Sequence, residues 1–149
     1  MEKTCNCDTF THFDFYHKQD KKIICKEKRS KYTYENRSLD QITKYRVDGN
    51  LISEGKKCDF LLLNCEKKKA YFIELKGSDL HQAIDQITTT IDMLKNSLSD
   101  FTICARIVLT RVNSTCLEDL KYKTLKKKVK ELNGGDLKQE SNQLIEINN

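Results

Sequence analysis

The densest apolar stretches of the chain are Phe60-Leu61-Leu62-Leu63 and Ala70-Tyr71-Phe72-Ile73, separated by the charged run Glu66-Lys67-Lys68-Lys69. Short runs rich in Leu, Ile, Phe and Tyr around a solvated turn predict a β-hairpin. Past Gly77 the period changes. Leu80, Ala83, Ile84, Ile87, Ile91 and Leu94 recur at three- and four-residue spacing, the apolar stripe of an amphipathic helix. Ser78 or Asp79 is placed to cap it, with Gln82 three residues after Asp79 as in a capping box. A strand is expected over Phe101–Thr110, and a short one over Tyr45–Ile52 with a turn-prone Asp48-Gly49 inside it. Leu125, Val129 and Leu132 suggest a second helix over Leu117–Leu132, stopped by Asn133-Gly134-Gly135. Leu144-Ile145-Glu146-Ile147 reads as an edge strand, whereas Lys31–Lys44, with Tyr32, Tyr34, Leu39 and Ile42, fits neither period.

Three charges flank or interrupt the hairpin strands: Asp59, Glu74 and Lys76. Alternation puts Glu74 and Lys76 on one side of their strand, about 7 Å apart. A hairpin folded about Lys67 sets Asp59 opposite Leu75, next to both, where an antiparallel neighbour reaches a shared ion. Ionisable groups in apolar strands are costly to bury unless paired or bound to metal, so their convergence marks a candidate site. The competing reading is a solvent-facing Glu-x-Lys pair on an exposed strand, with Asp59 merely opening another. Burial of the carboxylates separates the two readings.

Asp59, then fourteen residues, then Glu74-Leu75-Lys76 resembles the signature of the PD-(D/E)XK nuclease superfamily, with Cys58-Asp59 in place of its Pro-Asp pair. The order strand, strand, strand, helix, strand over Tyr45–Val112 is similar to the central part of that superfamily's fold. The resemblance implies a single α/β domain over residues 1–149 whose core, about 45–112, is restriction-endonuclease-like: a central mixed sheet of four to five strands flanked by helices. It implies that Asp59, Glu74 and the Leu75 carbonyl hold Mg²⁺ or Mn²⁺, a hard-oxygen shell suited to these ions. Lys76 would orient the attacking water or offset developing negative charge, and Gln86 resembles the glutamine that follows the lysine in some branches. The implied reaction is phosphodiester hydrolysis by an endonuclease, with DNA placed ahead of RNA as substrate and a homodimer as one route to cutting two strands. Many members carry another acidic residue upstream; Glu35, Asp40 and Asp48 stand there and none is assigned. The alternative is a module of the same fold that binds nucleic acid or protein without cutting.

Composition bounds these readings without replacing them. At 149 residues the chain has the size of one domain. No run approaches the roughly 18 apolar residues of a membrane span, and Met1-Glu2-Lys3-Thr4 does not open a signal peptide, so a soluble cytoplasmic protein is expected. Seven cysteines, an odd number, suggest reduced thiols and no disulfides, with Cys58, Cys65 and Cys104 serving as small apolar strand residues. Cys5, Cys7, His12 and His17 lie close together, but their spacing fits structural zinc poorly; the interleaved Phe10, Phe13, Phe15 and Tyr16 suggest an apolar segment docked on the domain. A net charge of +5 allows a phosphate-rich partner without requiring one. Lysines gather in Lys18–Lys31, in the hairpin loop and in Lys121–Lys130, and those of the loop are expected beside the site.

Overall fold

The computed structural model describes residues 15–18 (backbone only), 20–47, 57–75, 79–110 and 119–148. Its elements run β1 (Phe15–Lys18), β2 (Lys22–Glu27), β3 (Ser30–Glu35), β4 (Ile42–Arg46), β5 (Phe60–Asn64), β6 (Lys69–Leu75), α1 (Leu80–Leu94), a 3₁₀ turn (Lys95–Leu98), β7 (Thr102–Leu109), α2 (Leu120–Lys130), β8 (Leu137–Ser141) and β9 (Gln143–Ile147). Among the described residues nine strands form two mixed sheets, a six-stranded one in the order β1-β4-β5-β6-β7-β8 and a three-stranded one in the order β2-β3-β9. The five strands β4-β5-β6-β7-β8 agree with the expected mixed sheet of four to five, and β1 adds a sixth at one edge.

The central sheet is buried on both faces, and its two sets of side chains meet different layers. Leu61, Leu63, Ala70, Phe72, Ala105 and Ile107 pack with Leu80, Ile84, Ile87 and Ile91 of α1 and Tyr122, Leu125 and Val129 of α2. Phe60, Leu62, Tyr71, Ile73, Leu75 and Val108 pack instead with Ile23, Cys25, Tyr32, Tyr34 and Leu144 of the small sheet. Among the described residues, the flanking helices cover one face and the small sheet covers the other. The apolar runs Phe60–Leu63 and Ala70–Ile73 follow from two-sided burial, since no position in them is exposed to water. Lys31–Lys44, unreadable by period, contains β3, its turn and the start of β4; Tyr32 and Tyr34 alternate inward against the central sheet.

The hairpin, the crossover helix and the strand after it fall where expected, whereas the strand expected over Tyr45–Ile52 begins earlier, as Ile42–Arg46, with residues 48–52 outside the described residues. Asp79 caps α1 by accepting Gln82 N at 3.0 Å, and Asp119 caps α2 by accepting Lys121 N at 2.8 Å. The α2 exit passes through left-handed Asn133 and Gly134, with φ of 63° and 78°. At Gly135 a Cβ would lie 1.6 Å from Ile103 O, so only glycine lets this loop close against β7.

The expectation of reduced thiols throughout is corrected at one position: Cys65 is disulfide-bonded, whereas Cys25, Cys58 and Cys104 are free. Disulfides persist in oxidising surroundings, so the cysteines no longer argue for the cytosol. Among the described residues no helix is long and apolar enough to cross a membrane.

One charged pair locks the two sheets together. Arg106 of β7 donates from Nε to Glu146 Oε1 at 2.8 Å and from Nη2 to Glu146 Oε2 at 2.9 Å, and Tyr32 Oη donates to Oε1 at 2.7 Å. The guanidinium also meets Asp136 Oδ1 at 2.8 Å and stacks over the Tyr71 ring. Burial alone would raise the Glu146 carboxyl, but the Arg106 bonds and charge outweigh it and hold the group below its ordinary 4.5. A depressed carboxyl contributes stability above its unfolded value and loses it as pH falls through the folded one.

Arg106→Ala leaves Glu146 charged and buried without its guanidinium, and is expected to cost about 3–5 kcal/mol in urea unfolding. Glu146→Gln should be less stable at neutral pH yet show a flatter loss of stability below about pH 4.5, the group's ordinary value. Urea midpoints measured from pH 3 to pH 7 check both.

Candidate active site

Because β5 runs antiparallel to β4 and β6, the end of β4, the start of β5 and the end of β6 lie at one edge of the sheet. Asp59 stands just outside β5 at this edge. Its N–H donates to Ile73 O at 3.1 Å and its carbonyl accepts from Val47 N at 2.9 Å. Its Oδ2 accepts from Leu75 N at 2.9 Å. Asp59 thus bonds the residues on both sides of Glu74 and extends the ladder one step beyond the strand.

The hairpin register differs by one residue from the sequence expectation. Phe60 pairs with Ile73 and Asn64 with Lys69, so Asp59 is level with Glu74 rather than with Leu75. The cause is local: Asn64 Oδ1 accepts from Glu66 N at 3.1 Å and Lys67 N at 3.0 Å. An Asx-type turn of this kind fixes a four-residue loop centred between Glu66 and Lys67. The slip brings the two carboxylates nearer to each other than a fold about Lys67 would.

Both carboxylates are withdrawn from solvent, Glu74 completely and Asp59 to 4%, which excludes the solvent-facing pair. Gln86 reaches this point from the second turn of α1. With its amide nitrogen toward the carboxylate, it donates to Glu74 Oε2 at 2.8 Å and to Gln82 O at 3.3 Å, the orientation that satisfies both groups. Thr90, one turn further, accepts from Cys58 N at 2.8 Å and donates to Gln86 O at 2.7 Å. The helix is therefore tied to the residue before Asp59 and to Glu74 at once. Sequence reasoning missed Thr90, although a hydroxyl between Ile87 and Ile91 in the apolar stripe was its visible signal.

Nearby thiols register the site's charge. Burial, reinforced first by the Glu74 carboxylate, pushes Cys58 well above the ordinary thiol range. Cys25 of β2 is pushed up to about 12 by burial, with Lys44 lowering and Asp59 raising it.

The other sequence candidates fall elsewhere. Lys76 lies outside the described residues, as do Asp48, Cys5, Cys7, His12 and the His17 side chain. Glu35 pairs with Arg37, and Asp40 accepts from Lys67, Asn64 and Asn148. Both sit at the opposite end of the sheets, near Asn64 and Lys69, so neither completes the site. The loop lysines are at that far end too, Lys67 on Asp40 and Lys68 on Asp100. Their expected place beside the site is corrected.

A divalent ion fits the donor chemistry. Two buried carboxylates on adjoining strands repel unless a cation or proton lies with them. Each carboxylate offers about four lone-pair sites, so one amide donor does not preclude a metal on the same group. Among the described residues no group of three or more His, Cys, Asp or Glu side chains converges to hold a metal. An ion here would thus draw on Asp59 and Glu74, with main-chain, phosphate or water oxygens beyond them, the usual Mg²⁺ pattern. Comparison with family models, curated proteins and solved structures returned no match.

Thr90→Val removes the acceptor for the buried Cys58 N–H and is expected to cost about 1–3 kcal/mol, read from urea midpoints. Alkylation at pH 8 mapped by mass spectrometry should leave Cys25 and Cys58 unmodified in the native protein and modify both in guanidinium. Labelling of either in the native state would contradict the raised thiols.

Proposed function

We propose that the chain is a metal-dependent nuclease whose catalytic point is the Asp59–Glu74 edge, built on a restriction-endonuclease-like core. The observation that carries this reading is the burial of both carboxylates at one sheet edge, with Asp59 bonded to either neighbour of Glu74 and Gln86 on Glu74 itself. The antiparallel run β4-β5-β6, the crossover α1 and β7 returning parallel to β6 support the same core.

Asp59 and Glu74, with the Leu75 carbonyl, would hold Mg²⁺ or Mn²⁺. Such an ion supplies Lewis-acid polarisation of the scissile phosphate and a more acidic bound water. The chain's own contribution is placement. The Leu75 N–H holds the Asp59 carboxylate, and Gln86 holds that of Glu74, so neither reorganises as charge develops. Lys76, two residues beyond Glu74, would provide the cation that orients the attacking water or offsets the phosphorane's added charge. The substrate is a phosphodiester of nucleic acid, DNA ahead of RNA, and two copies of the chain would serve to cut both strands.

The test is cleavage of labelled single-stranded DNA, duplex DNA, a four-way junction and RNA with Mg²⁺, Mn²⁺ or EDTA. Wild type is expected to cut only with metal. Asp59→Asn, Glu74→Gln and Lys76→Ala, each with a melting curve to show that it folds, should lose about 100-fold or more in rate. Substrate binding without cutting under every condition would sink the nuclease and leave a binding module of this architecture.

A further inference from the structure

We propose that the tip of the β2–β3 hairpin is the clamp that holds the DNA phosphodiester backbone beside the Asp59–Glu74 edge. This rests on the nuclease reading for the site's chemistry but on separate observations for the clamp. The first is position. Arg46 Nη2 meets Glu27 Oε1 at 2.7 Å and Lys44 Nζ donates to Ile24 O at 3.0 Å, so β2 runs alongside β4 toward Arg46. Arg46 is the register partner of Phe60, the residue after Asp59. At the hairpin's other strand, Lys31 N donates to Asn142 O at 2.9 Å and Asn142 N to Leu109 O. Leu109 ends β7 one residue beyond the Val108–Leu75 pair. The tip is thereby fastened at the edge where both carboxylates lie.

The second observation is unbalanced charge. Lys26, Lys28 and Arg29 are exposed and Lys31 is half-exposed. Among the described residues none of these four side chains has an acidic partner, whereas Lys67, Lys68, Lys95, Lys121, Lys128 and Lys138 each do. The lysines at the end of α2 have a structural reason to be there, since cations in a last turn complement the helix dipole. A strand turn offers no such dipole.

The third is backbone cost. The loop between Glu27 and Ser30 has two residues, Lys28 and Arg29, and Lys28 sits at φ 47°. Hairpin turns of this length favour Gly or Asn there, because a Cβ is strained at positive φ. A lysine held against that preference points to a use for its side chain. Lysine is a compact charge suited to phosphate, and backbone contacts of this kind position a duplex without reading its bases. The exposed cations of the turn would offer that contact at the same end of the strands as the acidic pair.

The experiment measures anisotropy of a fluorescent 30-base-pair duplex in EDTA, so that nothing is cut, from 50 to 300 mM salt. Wild type is compared with Lys26→Ser/Lys28→Gly/Arg29→Ser and with Lys126→Ser/Lys127→Ser/Lys130→Ser on α2. The hairpin triple should bind about 10- to 100-fold more weakly at low salt, with the salt slope reduced by about 2 to 3, near 0.9 per lost phosphate contact. Its melting temperature should hold or rise, because Lys28→Gly relieves the left-handed lysine. Affinity and slope equal to wild type, or an equal loss from the α2 triple, would overturn the clamp. The two readings separate cleanly. Weakened binding by the hairpin triple with no metal-dependent cutting by wild type keeps the clamp and removes the nuclease. Cutting at subsaturating DNA that the triple performs as fast as wild type keeps the nuclease and removes the clamp.

Discussion

The constraint on which this structure turns is that β5, β6 and β7 are covered on both faces. From Phe60 to Asn64 and from Ala70 to Leu75 every side chain is buried, so a charge or amide placed there must find its partner inside the protein. Two helices supply partners on one face and a three-stranded sheet on the other. The polar residues of the central strands are accordingly the fixed points around which the layers are arranged.

Two of those points answer the constraint in opposite ways. Arg106 meets Glu146 with two parallel hydrogen bonds and adds Tyr32 and Asp136, so opposite charges close on each other and join the sheets. Asp59 and Glu74, by contrast, are like charges on neighbouring strands, and their partners include neutral donors, the Leu75 N–H and the Gln86 amide. Neutral donors orient a carboxylate without cancelling its charge. The first arrangement joins the two sheets; the second fixes how the two carboxylates are oriented.

The site edge also draws its surroundings from both layers. The α1 face provides Gln86 and, through Thr90, a hold on Cys58. The opposite layer brings the β2–β3 turn to the same edge through Arg46 and Asn142. Buried acidic groups and exposed cationic ones thus lie at the same end of the strands, in different layers.

Much of the site could be read directly from the chain. Asp59 and Glu74 stood out because they break apolar runs, and Gln86 because it borders a regular stripe; strand alternation and helical period are local properties that need no tertiary context. The one-residue register slip was not legible, since Asn64 sets the loop by side-chain hydrogen bonds that hydrophobicity does not report. Nor were β2 and β3, whose lysines obscure the inward alternation of Ile23, Cys25, Tyr32 and Tyr34. By itself the sequence determined the central hairpin, the crossover helix and the two carboxylates. Only the tertiary structure decided that a second sheet, rather than helices, covers the other face, that Asp40 and the loop lysines lie at the far end, and that the basic turn of Lys28 and Arg29 lies at the same end of the strands as the acids. Those outcomes depend on pairings between residues distant in the chain, whose energies come from packing and charge neutralisation that no local pattern contains.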